Sequence, residues 1–382
     1  MPPLPRPVRK VGAPMAAIIV MGTVAGLILL LAGSTDPTGI ARGFVLATIA
    51  TILVVLCYLW LDRWEPEPPR LLVMAFLWGA SVSVLLSMLF SVVLEKLLGI
   101  ASSGAEDKPN LVMAAVVGPA VEEAFKGLFL VLMMTGRRRI ELNNLTDCLV
   151  YAGFTAVGFA WLENIFYLGS AETLRDSLVI AGLRLVISPF AHPLFTTMTA
   201  IGVYFALKQR SFFGKTGCVL LGYLGAVAMH GLWNGSALVG TGTYIVVYVL
   251  WMMPVFGLAI WMALMSRRRE GYIIAHKLPG MISAGLLTPV EAHWVSSLPA
   301  RKSAVGEARQ FGGRAAASSV KGFINQVVEL AYVRDRIDRG FGDPRVFALQ
   351  NEEAYGVIAA RAAAGPALHR LNATGFTGMP LR

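Results

Sequence analysis

Charged residues are scarce in this chain of 382 residues. Only 15% are Asp, Glu, Lys or Arg, 56% are hydrophobic, and the mean hydropathy is +0.64. A soluble domain of this length needs a more polar surface, whereas helices that face lipid do not. The composition therefore argues against a soluble protein and for a membrane protein.

Cysteine is nearly absent. The three cysteines, Cys57, Cys148 and Cys218, lie in or beside apolar runs and show no paired spacing. This pattern is typical of packing residues, and it excludes a disulfide framework and a zinc site built from cysteine.

Long apolar runs are abundant. A membrane-spanning helix needs about 20 mostly apolar residues, and runs of that kind lie at 12–33, 40–61, 71–99, 110–136, 146–168, 178–207, 216–238 and 243–266. The sequence therefore predicts an all-α fold in which residues 1–266 form a polytopic membrane helix bundle of about eight transmembrane helices.

Lys and Arg, which give a net charge of +10, are concentrated in alternate loops. These clusters are Arg6, Arg9 and Lys10; Arg63 and Arg70; Arg137, Arg138 and Arg139; Lys208, Arg210 and Lys215; and Arg267, Arg268 and Arg269. Because cytoplasmic loops carry the excess of Lys and Arg, the pattern predicts a multi-pass protein of the cell membrane with both termini in the cytoplasm. No nucleic-acid recognition motif accompanies the charge, so the expected partner is the lipid bilayer and not a nucleic acid.

The region 267–382 is not apolar enough to span a membrane and holds sixteen Lys or Arg against nine Asp or Glu. Amphipathic stretches near 317–338 and 344–363 predict helices, and the Gly-, Ala- and Ser-rich stretch 312–319 predicts a linker. We expect a small, mainly helical, basic cytoplasmic region that favours anionic lipid.

Ionisable side chains nevertheless occur inside the apolar runs, where each costs at least about 2.5–3.5 kcal/mol on insertion scales. The fourth run contains Glu122, Glu123 and Lys126. The two carboxylates point about 100° apart on a helix, and Lys126 reaches either of them. This spacing favours a division of labour, in which one Glu is held by the lysine and the other accepts a proton from water.

Polar residues recur on the next three runs: Glu163 and Asn164 on the fifth, His192 between prolines on the sixth, and His230 and Asn234 one turn apart on the seventh. Each has a purely structural alternative, as a buried ion pair or as hydrogen-bonding glue between helices. Their coincidence on four consecutive runs predicts one shared site instead.

Two chemistries fit these residues. In the first, a Glu activates water and His and Asn donors stabilise the oxyanion of a peptide carbonyl. In the second, His192, His230 and Glu163 hold a divalent metal such as zinc. Since the chain has no HExxH motif, we prefer the first and predict no obligatory cofactor, with the metal site as the alternative.

The motifs Glu122-Glu123-xx-Lys126, Phe159-xxx-Glu163-Asn164, His192 and His230-xx-Trp233-Asn234, in that order, resemble those of the PrsW family of intramembrane proteases. The stretch 62–68, which reads DRWEPEP, also resembles a segment that this family carries after an early span. The resemblance covers roughly residues 40–240. It implies hydrolysis of peptide bonds in or near the membrane, in membrane-anchored protein substrates of which anti-sigma factors are the best known.

The wider superfamily, which includes the CAAX prenyl proteases and bacteriocin-processing enzymes, implies roles for single residues. Glu122 is the water-activating base, Glu123 is the partner of the basic residue, and His230 and Asn234 are oxyanion donors. The chain departs from this pattern in two places. Lys126 lies one position earlier than the superfamily arginine, and Glu163 replaces the histidine of the prenyl proteases, an imidazole that His192 is able to supply.

Two other functions compete with the protease. A proton-coupled transporter also needs buried Glu and His residues, but the chain shows no repeated halves. An inactive relative would bind membrane segments without cleaving them. The predicted catalytic residues are thus Glu122, Glu123, Lys126, Glu163, Asn164, His192, His230 and Asn234.

Overall fold

The computed structural model describes residues 13–32, 37–100 and 110–373, and these residues form helices and no β-strand. The helices that cover the apolar runs are α1 (Ala13–Ala32), α2 (Pro37–Leu61), α3 (Pro69–Leu98), α4 (113–133), α5 (Leu145–Gly169), α6 (Leu174–Leu207), α7 (Phe212–Val239) and α8 (Thr241–Ser283). Three more follow: α9 (Pro289–Val295), α10 (Leu298–Arg336) and α11 (Pro344–Ala373). The all-α prediction is confirmed.

Six of the described helices are long and apolar enough to cross a membrane, namely α2, α3 and α5 to α8. Helix α4 is not among them because it carries Glu122, Glu123 and Lys126, and among its described residues α1 offers the shorter apolar stretch Met15–Val24. All eight predicted runs are therefore helical in their described parts, and length and composition alone qualify six as spans.

Helix α5 forms the centre of the membrane bundle, because most of its length is buried. It begins with a capping box in which Asn144 accepts from the amide of Asp147 and the Asp147 carboxylate accepts from the amide of Asn144. Small residues bring α3 and α5 into backbone contact: a Cβ added to Gly79 would lie 1.8 Å from the carbonyl oxygen of Thr155. This close approach needs glycine, as is common where membrane helices cross.

Several helices of the bundle contain a π-helical turn, a feature that is frequent at functional sites. The turns lie at Trp78–Ser83 in α3, Met113–Val117 in α4, Gly182–Ile187 in α6 and Tyr248–Met252 in α8. Helix α6 also breaks after Ile187 and resumes at Ala191, since Pro189 lacks the amide that a continuous helix requires. His192 thus lies in the first turn of the resumed helix.

The described chain divides into two compact units. One contains residues 67–264 together with the described residues before Arg63, and it holds all eight predicted site residues. The other contains residues 63–66 and the described residues from Met265 onwards. In this second unit the side chains of Trp294, Phe323 and Tyr332 are buried in a core of their own.

The predicted linker at 312–319 is wrong, because α10 runs through it. The apolar side chains of Val320, Phe323 and Ile324 pack into the core of the unit, and their burial favours helix over the local Gly and Ser content. Only Gly313 departs from helical geometry, with φ 67° and ψ −160°, and it kinks the helix. The two predicted amphipathic helices are confirmed, within the longer α10 and α11.

Candidate active site on the fourth to seventh runs

The structure brings six of the eight predicted residues into one connected network. They are Glu122, Glu123 and Lys126 on α4, Glu163 on α5, His192 on α6 and His230 on α7. Four consecutive helices therefore converge on a single polar cluster.

The Lys126 ammonium lies at the centre of the cluster. Its Nζ donates to Glu123 Oε1 at 2.9 Å and to Glu122 Oε2 at 3.3 Å, and it lies 3.0 Å from His192 Nδ1. It also lies 3.9 Å from the centre of the Phe159 ring, a cation–π distance. The side chain is fully buried, so these partners replace water completely.

Glu123 is the carboxylate that holds the cluster together. It is fully buried and accepts from Lys126 Nζ, from Thr196 Oγ1 at 2.9 Å and from His230 Nδ1 at 3.1 Å. These three donors come from three helices, α4, α6 and α7. Glu123 therefore orients the other residues and is poorly accessible to a reactant.

Glu122 is held less firmly. Its side chain is 19% exposed, its Oε2 lies 3.3 Å from Lys126 Nζ, and it is 3.8 Å from His230 Nε2. The last distance is too long for a direct hydrogen bond but short enough for one water molecule to bind both atoms. Glu122 is therefore the carboxylate that fits the role of a base.

The tautomer of His230 follows from its partner. The Glu123 carboxylate only accepts, so His230 Nδ1 must carry the proton, and in the neutral ring Nε2 is left with a lone pair that faces Glu122. The ring stacks on Phe195 with centroids 4.6 Å apart.

The residue after His230 is a glycine that brings α7 close to α4. A Cβ on Gly231 would lie 2.2 Å from the Ala115 carbonyl oxygen, so glycine lets α7 approach the π-helical turn of α4.

His192 is engaged at both nitrogens. Its Nε2 lies 2.8 Å from Glu163 Oε2 and donates to that carboxylate, which leaves Nδ1 to accept from Lys126. His192 is thus the link between the pair on α4 and Glu163 on α5.

Arg184 completes the site, and sequence reasoning missed it. Its Nη2 pairs with Glu163 Oε2 and its Nε donates to Asn164 Oδ1 at 2.7 Å. Arg184 is an ionisable residue within the predicted run 178–207, so the rule that selected the glutamates could have found it. Thr196 was missed as well, because a hydroxyl in an apolar helix carries no comparable signal.

Asn164 and Asn234 lie at the edge of the network. Asn164 joins it only through Arg184. Asn234 donates from Nδ2 to the carbonyl oxygen of Ala114, on the π-helical turn of α4, at 3.1 Å. In this arrangement Asn234 fastens α7 to α4.

A second reading of the cluster is a metal site. Glu122, His192 and His230 each offer a ligand atom, and these atoms lie within 4.8 Å of one another. The predicted metal ligands included Glu163 in place of Glu122, but Glu163 pairs with Arg184 and His192. Two imidazoles and one carboxylate form a donor set that fits zinc. Holding an ion at His192 Nδ1 would displace Lys126 from that atom.

Comparison with known proteins assigns the chain to a family. Residues 67–284, more than half of the chain, match the PrsW family of intramembrane metalloproteases. The chain is 27% identical to Protease PrsW of Oceanobacillus iheyensis over 228 residues, which are 60% of this chain and 97% of that protein.

Two further relatives are also named Protease PrsW. The protein of Clostridioides difficile is 28% identical over 193 residues, 49% of this chain and 76% of the relative. That of Geobacillus kaustophilus is 26% identical over 243 residues, 61% of this chain and 95% of the relative. No solved structure matches the chain.

The matched range 67–284 contains all eight predicted site residues. It also contains the whole length of five of the six helices that are apolar enough to span a membrane. A multi-pass peptidase, and not a transporter, is the function class that this match supports. The chain belongs to the PrsW family of intramembrane proteases.

Proposed function

We propose that this protein hydrolyses peptide bonds of membrane-anchored protein substrates with a water molecule activated by Glu122. The observation that supports this most is that the two neighbouring carboxylates differ in burial and in hydrogen bonding. Glu123 is buried under three donors, whereas Glu122 stays partly exposed and faces the free nitrogen of His230. Anti-sigma factors are the first substrate class to test.

In the proposed reaction, a water molecule binds between Glu122 and His230 Nε2. Glu122 takes one proton from the water as the oxygen attacks the peptide carbonyl carbon. The negative charge of the tetrahedral intermediate is stabilised by the electrostatic field of the buried Lys126 ammonium, whose Nζ lies 3.3 Å from Glu122 Oε2. When the C–N bond breaks, Glu122 returns the proton to the leaving nitrogen, and the products are an acid and an amine.

This scheme changes the role of His230 that the superfamily implies. A neutral His230 has its proton on Nδ1, so Nε2 carries no N–H for an oxyanion. Donation from Nε2 would require the doubly protonated ring. We therefore assign His230 to orienting the water and Asn234 to holding α7 against α4.

A divalent metal such as zinc, held by Glu122, His192 and His230, would supply a Lewis acid and an ionised water. Around such an ion the chain has suitable support. Glu123 bonds the Nδ1 of His230 and Glu163 bonds the Nε2 of His192, and carboxylates in these positions orient imidazole ligands.

The test is cleavage by purified protein reconstituted in liposomes with single-span substrates. We expect Glu122→Gln and His230→Ala to abolish cleavage while the protein remains folded, and Lys96→Met, an exposed change in the last turn of α3, to preserve it. Undiminished cleavage by Glu122→Gln would refute the assignment. Loss of wild-type cleavage with a chelator, restored by zinc, would establish the metal-dependent form.

We also propose that both termini lie in the cytoplasm, because the basic clusters occupy alternate loops. Reporter fusions after Arg139 and after Ser170 should report opposite sides of the membrane. The same side for both would overturn the topology.

A further inference from the structure

A large apolar cavity lies beside the candidate active site. Its volume is about 680 Å³, and α2, α6 and α8 provide most of its wall. The side chains of Leu53 and Cys57 on α2 and of Ala259 and Ala263 on α8 line it. Leu53 is 62% exposed, so the cavity is open on its outer side.

The cavity is long enough for two turns of a helix. Its lining runs from Leu53 to Leu61 on α2 and from Phe256 to Leu264 on α8. Eight residue steps at about 1.5 Å each correspond to about 12 Å, or two turns of an α-helix. The lining is almost entirely apolar, so hydrocarbon or apolar side chains fill this space better than water does in a membrane.

One wall is suited to a helix and not only to a lipid chain. Ala259 and Ala263 lie one turn apart on α8, and both face the cavity. Small residues at this spacing let a second helix approach closely, which is how membrane helices associate. A flexible acyl chain has no need of that spacing.

The helix that carries His192, α6, also forms part of the cavity wall. On α6, Thr196 donates to Glu123 in the active site, whereas Pro193 and Thr197, the next positions round the helix, line the cavity. Phe190 lines it too, at the break just before α6 resumes. Phe190 precedes His192 by two residues, so this end of the cavity is the part of its lining nearest in the chain to the candidate active site.

We propose that this cavity, the substrate groove, binds the transmembrane helix of the protein substrate and delivers the residues beyond Phe190 to the active site. The inference rests on the proposed peptidase function, because it names where that substrate binds.

Cys57 makes the groove directly testable. It is exposed on the groove wall, whereas Cys148 is buried.

The experiment uses a Glu122→Gln protein that also carries Cys148→Ala and Cys218→Ala. Single cysteines are introduced one at a time along the substrate helix, and each pair of proteins is oxidised in liposomes. Disulfides form only when the two Cα atoms come within about 7 Å. We expect cross-links at every third or fourth substrate position. A matched protein with Cys57→Ala and Leu221→Cys, a site 73% exposed on α7, should give none.

A second variant fills the groove. Ala263→Trp should lower Cys57 cross-linking and raise KM for a single-span substrate about tenfold, whereas Leu221→Trp should change neither. Cross-linking is read in the Glu122→Gln background and needs no cleavage, so it tests the groove even if the peptidase proposal fails. Equal cross-linking through Cys57 and through the thiol of the Leu221→Cys control, or wild-type cross-linking in Ala263→Trp, would overturn the groove.

Discussion

Replacing Lys126 with Met tests whether the buried lysine holds the cluster together. The change keeps the length of the side chain and removes its charge. It leaves the carboxylates of Glu122 and Glu123 without their shared cation and His192 Nδ1 without its donor. Removing one partner of a buried ion pair costs about 3–5 kcal/mol of unfolding free energy. We expect a loss of that size, since the Lys126 side chain is fully buried.

The assay is unfolding of the purified protein in detergent, with Lys96→Met as the exposed control. A double-mutant cycle sharpens it, because Glu123→Gln removes the charge that Lys126→Met leaves unpaired. The double variant should therefore lose less stability than the sum of the two single variants. Equal stability of Lys126→Met and Lys96→Met, or simple additivity in the cycle, would show that the ion pair does not stabilise the fold.

Three more predictions concern single residues. Arg184→Gln should lower cleavage by about 10–100-fold, because it frees Glu163 and Asn164; Arg184→Lys should recover part of the loss, and unchanged cleavage would refute the role. Gly231→Ala should destabilise the protein, since the new Cβ meets the Ala115 carbonyl at 2.2 Å, whereas Gly217→Ala on the same helix has nothing within 4 Å and should not; unfolding of the two variants decides. Burial and the nearby Asp147 carboxylate raise the pKa of Asp62 from 3.8 to about 8. The folded state therefore binds more protons than the unfolded state, and stability should fall as pH rises between these values; Asp62→Asn should weaken this fall, and an unchanged pH profile of unfolding would contradict it.

Local properties of the chain were enough to predict most of the architecture. An apolar run of sufficient length becomes a membrane helix wherever it lies, because its backbone groups must bond within the segment. Because an ionisable side chain is costly inside the membrane, Glu122, Glu123, Lys126 and His230 could be selected from their position in apolar runs alone. The order of these motifs also sufficed to indicate the family that the comparison then established.

The linker prediction failed for a physical reason. Gly and Ser at 312–319 are poor helix formers, but the apolar residues that follow are buried in the core of their unit, and tertiary packing outweighs local propensity. Only Gly313, with its positive φ, kept the expected break.

Partner choice inside the site was decided by tertiary structure alone. Helical spacing let Lys126 reach either glutamate, and donors from α6 and α7 determine that Glu123 is the buried one. Arg184 pairs with Glu163, whereas Glu122 lies with the two histidines in the group of residues that is able to hold a metal. Such pairings depend on distances between helices that are remote in the chain, and the spacing of residues along one helix carries no information about them.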